Sequence, residues 1–125
     1  MTSRREARRT AVFLLYQWDL TRQPLASLYE GDVDPWAREL AEGVVERADE
    51  LDRRLTDAAV AWPADRLGAL ERTVLRVGLF ELDRGAVPVE VAIDEAVTLA
   101  KRYASEDAAR LVNGILARIA REKAA

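Results

Sequence analysis

The 125-residue chain has no cysteine and no histidine. The first absence excludes disulfides and thiol nucleophiles. The second excludes imidazole acid–base chemistry and, with the first, nearly all zinc sites. A carboxylate-only Mg²⁺ or Ca²⁺ site stays open on composition, but no EF-hand spacing is present, and there is no phosphate-cradling glycine loop and no nucleophile elbow. No apolar run approaches the ~18 residues of a membrane span, and the basic start is not followed by the apolar segment of a signal peptide. The sequence therefore predicts a cytoplasmic binding protein that is not an enzyme and carries no cofactor or metal. With 50% hydrophobic and 33% charged residues it has the makings of a core, and its length suits one domain.

The charge is unevenly placed. Four arginines and one glutamate give residues 1–10 a charge of +3, which leaves −6 on the rest of a chain whose net charge is −3. A basic tip on an acidic body suits a polyanion at one end and a basic partner elsewhere.

Apolar residues recur with helical period almost throughout, and no segment alternates like a strand. Ser3 and Glu6 have capping-box spacing and open a helix over about 4–20, with Ala7, Ala11, Leu14, Leu15 and Trp18 on one face. A short helix is expected around Leu25 to Tyr29. Asp34-Pro35 is a helix start, the aspartate as cap and the proline at the first helical position. The stripe from Trp36 through Leu40, Val44, Ala48, Leu51 and Leu55 to Ala58 is long enough to break near Asp49. Trp62-Pro63 ends it, and Asp65 caps a short turn. A helix over about 69–84 is apolar nearly all round, hence central, with Gly85 as its C-cap signal. Val87-Pro88 opens another over about 89–103. Ser105 caps the last, where Glu106 and Asp107 suit the helix dipole. The stripe Leu111, Val112, Ile115, Leu116, Ile119 runs through Gly114, which is expected to let a neighbouring helix approach closely.

Arg4, Arg5, Arg8 and Arg9 lie early in the first helix, and Arg4 and Arg5, in its first turn, each oppose the helix dipole by roughly 0.3–1 kcal/mol. Few acids lie near them in sequence. An ordinary solvated helix face accounts for such a cluster about as well as phosphate contacts do; guanidinium groups match phosphate bidentately. Lys101-Arg102-Tyr103-Ala104-Ser105, with Arg110 one turn on, is a second small basic spot.

Several blocks, in order, resemble the NusB family of bacterial transcription antitermination factors. These are Ala7-Arg8-Arg9 to Leu15-Tyr16-Gln17-Trp18-Asp19-Leu20, Trp62 to Asp65-Arg66-Leu67, and Glu71-Arg72-Thr73-Val74-Leu75-Arg76 to Phe80-Glu81-Leu82. The most specific is Val87-Pro88 with Val91-Ala92-Ile93-Asp94-Glu95-Ala96-Val97, then Leu99-Ala100-Lys101 and Ser105-Glu106-Asp107 to Val112-Asn113-Gly114-Ile115-Leu116. The resemblance implies an all-α fold of about seven helices in two packed three-helix-bundle-like subdomains, here about 1–62 and 63–125 of a single domain. It implies binding of single-stranded boxA RNA of ribosomal transcripts together with NusE, ribosomal protein S-ten, within the RNA polymerase antitermination complex with other Nus factors. It places Arg4, Arg5, Arg8, Lys101, Ser105, Asp107, Arg110 and Leu111 on RNA, and Tyr16 and Glu71 on NusE. The sequence departs from the family pattern at Glu6, at Val89-Glu90, at Asp94 and at Leu111, which stands where an aromatic is frequent. Those changes imply weak RNA binding without NusE. The competing expectation is a helical protein-interaction module or homodimer whose arginine-rich face is buried in self-association.

Overall fold

The computed structural model describes residues 2–59 and 67–124. Six α-helices are present among them: α1 (Arg4–Thr21), α2 (Pro35–Glu46), α3 (Ala48–Ala58), α4 (Ala69–Arg84), α5 (Val89–Tyr103) and α6 (Glu106–Ala124), with a 3₁₀ turn at Leu25–Leu28. No strand occurs among the described residues. The expected roles of Trp62, Pro63 and Asp65, and the division near residue 62, lie outside them.

Local chemistry sets the helix ends. Ser3 Oγ accepts the Glu6 amide at 3.1 Å. Asp34 Oδ1 accepts the Trp36 and Ala37 amides at 2.9 and 3.2 Å, with Pro35 at the first helical position. Ser105 Oγ accepts the Ala108 amide at 3.0 Å. Gly85 ends α4 in the left-handed region at φ 67°, a conformation that glycine adopts at little cost. The long second stripe breaks at Arg47, two residues before the expected place, and becomes α2 and α3.

The helices pack around α4, which touches α1, α2 and α3 as well as α5 and α6. From Thr73 to Leu79 every residue of α4 is buried, as its all-round apolarity requires. Leu15, Leu40, Leu51, Leu75, Leu79 and Leu116 are fully buried and bring all but α5 into the core, to which α5 adds Ala92, Ala96, Leu99 and Ala100.

The close approach expected at Gly114 occurs elsewhere. A Cβ on Gly114 would meet nothing within 4 Å, whereas one on Gly78 would lie 2.6 Å from Leu116 Cδ1 and 3.3 Å from Ala96 Cβ. Gly114 faces solvent, and Gly78 is the point where α5 and α6 both close on α4.

Charged groups cross this core. Arg76 and Asp19, 3% and 1% exposed at their side chains, bond at 3.0 Å and tie α4 to α1. Arg76 also donates twice to Asp52 of α3, both at 2.7 Å, and Arg72 donates to Asp19 at 2.5 Å. Burial pushes the Asp19 carboxyl up, but the hydrogen bonds and charges of Arg72 and Arg76 outweigh it and hold the group below the usual carboxylate range. At Asp83 burial is likewise outweighed, by Arg54 and Arg47.

Two outcomes are expected. Gly78→Ala destabilises by about 1–2 kcal/mol, because the clash exceeds the gain in helix propensity, while Gly114→Ala stabilises by up to about 1 kcal/mol; chemical denaturation measures both. Because the folded-state pKa values of Asp19 and Asp83 are lowered, their contribution is present above about pH 4 and is lost as pH falls through those depressed values. Thermal melts between pH 7 and pH 2 are therefore expected to show a fall confined to the acid end, shallower in Asp19→Asn, which is less stable at pH 7.

Candidate nucleic-acid interface

The arginines of the first helix do not share one fate. Arg8 is 3% exposed. Its Nε and Nη2 donate to the two carboxylate oxygens of Glu81 on α4, at 2.5 and 2.9 Å, and its guanidinium lies 5.1 Å from the Trp36 ring centroid. Arg8, expected on RNA from the family resemblance, is here one half of a buried, bidentate ion pair. Removing one partner of such a pair costs about 3–5 kcal/mol, so Arg8 is held by the fold.

Arg4 and Arg5 are exposed. Arg4 also rests over Trp36, 4.8 Å from the ring centroid. Arg5 donates to Glu95 of α5, with Nη2 to Oε1 at 3.1 Å, and its side chain remains 76% exposed. Glu95 Oε2 also lies 3.9 Å from Arg8 Nη1. The acids that balance the tip therefore come from α4 and α5, more than seventy residues away in sequence, and not from the first helix.

The second basic spot is at the α5–α6 junction. Lys101, Ser105, Asp107 and Arg110 are all exposed there, and Leu111 is half-buried against the core. Lys101 and Arg110 line one groove between α5 and α6 with Val97, Glu106, Ala109 and Asn113. Each cation has an acid close by: Lys101 Nζ is 3.9 Å from Glu106, and Arg110 is bonded to Asp107 one turn back. Asp107 thus steadies Arg110 besides favouring the helix start. Leu111 gives its side chain partly to the core and has no aromatic face to offer a base.

The tip and the junction are separate patches joined by α5. Arg5 meets Glu95 and Phe13 meets Tyr103, so a step of eight residues on α1 matches a step of eight on α5. The two helices therefore run the same way over about 12 Å, bridged here by side chains. Arg102 lies two turns beyond Glu95 on the α1 side of α5, while Lys101 faces α6. Phe13, Glu95 and Glu81 were not singled out by the sequence pattern. Phe13 adjoins the apolar stripe, and the two acids sit on helices whose apposition to α1 is a tertiary fact.

Tyr16 and Glu71 are half-buried at the other end of α1. Asp19, one turn after Tyr16, bonds to Arg72, the neighbour of Glu71, which brings both residues to the same α1–α4 corner. Glu71 folds over Gly68 at the start of its own helix. Among the described residues no group of histidine, cysteine, aspartate or glutamate is arranged to hold a metal ion, and no helix is long and apolar enough to cross a membrane.

Comparison with known proteins places this geometry. The model of the NusB family matches residues 5–121. The transcription antitermination protein NusB of Solibacter usitatus is 37% identical over 98% of this chain and 91% of its own length. That of Rubrobacter xylanophilus is 40% identical over 91% of this chain and 87% of its own. Among solved structures, antitermination factors NusB and NusE in complex with double-stranded RNA include a chain of TM-score 0.84 and 31% identity, covering 95% of this chain and 96% of that one. T. maritima NusB has TM-score 0.85 and 34% identity over 97% of this chain and 92% of its own. With buried pairs at its helix contacts, exposed cations at the two ends of the α1–α5 seam and this likeness along nearly its whole length, the chain belongs to the NusB family.

Proposed function

We propose that this chain is a transcription antitermination factor, acting in the cytoplasm and not as an enzyme, that binds single-stranded boxA RNA of ribosomal transcripts with NusE and joins the RNA polymerase antitermination complex with other Nus factors. The observation that carries this is the state of the exposed cations. Arg4 and Arg5 at the tip, and Lys101 and Arg110 at the junction, are themselves exposed, Arg4 held by an aromatic face and each of the others by one acid: half-buried Glu95 for Arg5, exposed Glu106 and Asp107 for Lys101 and Arg110. Exposed pairs of that kind are worth about 0–1 kcal/mol, so a phosphate can replace the acid. An arginine–phosphate pair is charge-assisted and bidentate, and it releases counterions. Tyr16 and Glu71 at the α1–α4 corner form the surface for NusE, and an acidic body suits a basic ribosomal protein.

The local acids set the strength. Glu95 competes for Arg5, and Asp107 for Arg110, so RNA must displace each carboxylate. That fits weak binding by this chain alone and tighter binding with NusE.

Labelled boxA RNA and a scrambled control, titrated with and without NusE, test the proposal. The expected result is preference for boxA, strengthened by NusE, with log K against log salt sloping by about −2 to −3 for three or four phosphates. Equal binding of both RNAs under both conditions, or a slope near zero, contradicts it. Arg4→Ala with Arg5→Ala is expected to weaken both RNAs alike. Glu95→Gln and Asp107→Asn are each expected to tighten binding severalfold, which fluorescence anisotropy resolves; unchanged affinity removes the competing role of these acids.

A further inference from the structure

We infer that Phe13 and Tyr103 form an RNA base-stacking step on the α1–α5 seam, flanked by Arg9 and Arg102. The inference rests on the RNA-binding role proposed above and assigns it residues that the family resemblance does not.

Phe13 is an exposed large hydrophobic, 38% accessible, in a helix whose neighbouring Val12 and Leu14 are buried. Its ring meets that of Tyr103 edge-on, with centroids 5.0 Å apart and planes at 77°. The contact fixes both rings and leaves part of Phe13 to solvent, which is a rigid apolar face with a defined direction. Arg9 lies one turn before Phe13 on the same side of α1. Arg102 sits over the Tyr103 ring, 5.4 Å from its centroid. Among the described residues neither Arg9 nor Arg102 has a carboxylate at ion-pair distance, unlike Arg5, Lys101 and Arg110.

Position selects the occupant. A strand running from Arg5 to the α5–α6 junction follows the seam, and Phe13 lies about 12 Å along it, eight helical residues from Arg5. Two uncommitted cations beside an aromatic face fit a phosphate on each side of a stacked base, the arrangement that sequence-tolerant single-strand binding uses. Leu111 cannot supply such a face, so stacking falls to the seam.

Phe13→Leu and Phe13→Trp, titrated with boxA RNA and with an RNA of equal length in which consecutive bases are removed from the sugar–phosphate chain, test this, with NusE binding measured in parallel and folding checked by thermal melts. The leucine variant is expected to lose about five- to a hundredfold in boxA affinity, to retain the salt slope, and to bind the abasic RNA as the parent does, while the tryptophan variant keeps or gains affinity. If the parent binds boxA with the expected salt slope and Phe13→Leu binds it equally well, the stacking step is overturned while the RNA-binding role stands. If Phe13→Leu weakens NusE binding alone and leaves RNA binding unchanged, the ring belongs to the protein partner and the inference is also overturned. A parent that shows neither salt slope nor boxA preference fails the earlier proposal first.

Discussion

The bidentate pair between Arg8 and Glu81 is the contact on which the arrangement of this protein turns. Both side chains are 4% exposed, so each charge has left water and is compensated by the other. Such a pair adds little net stability compared with two apolar residues, but it tolerates no slippage, since an unpaired buried charge costs several kcal/mol. It fixes where along α4 the first helix sits. The second polar contact, Arg76 with Asp19 and Asp52, does the same further along and brings in α3. Two pinned points along one pair of helices settle their register, and the apolar core fills in between.

That register has a functional consequence. It turns Arg8 inward and leaves Arg4 and Arg5 on the surface at the head of the α1–α5 seam. The first-turn charge that opposes the helix dipole is offset partly by Glu95, which pairs with Arg5, and partly by the Trp36 ring beside Arg4. The exposed cations at the tip keep only loose partners, an aromatic face for Arg4 and one carboxylate for Arg5.

Much of this was readable in the sequence where the signal is local. The bounds of α4 and α5 follow from all-round apolarity ended by Gly85 and from Val87-Pro88, and the caps at Ser3, Asp34 and Ser105 form as their spacing requires. Sequence spacing could not separate Arg8 from Arg5, because the difference lies in acids of other helices. It could not tell Gly78 from Gly114, because only packing shows which one faces a leucine. Phe13 adjoins an apolar stripe and carries no local sign that its ring stays partly in water. The resemblance to the family pointed to the two basic patches, and the tertiary contacts separated Arg8, buried with Glu81, from the exposed Arg4 and Arg5.

Arg8 is committed to the fold, and the RNA contact proposed for the tip falls to exposed residues such as Arg5. Salt-dependent boxA titrations of Arg5→Ala and of the paired replacement Arg8→Met with Glu81→Leu, which removes both buried charges together, test it most directly. The paired replacement is expected to keep the affinity and salt slope of the parent, while Arg5→Ala lowers affinity and makes the slope shallower by about 0.7. A folded paired variant whose slope falls as far as that of Arg5→Ala would contradict it.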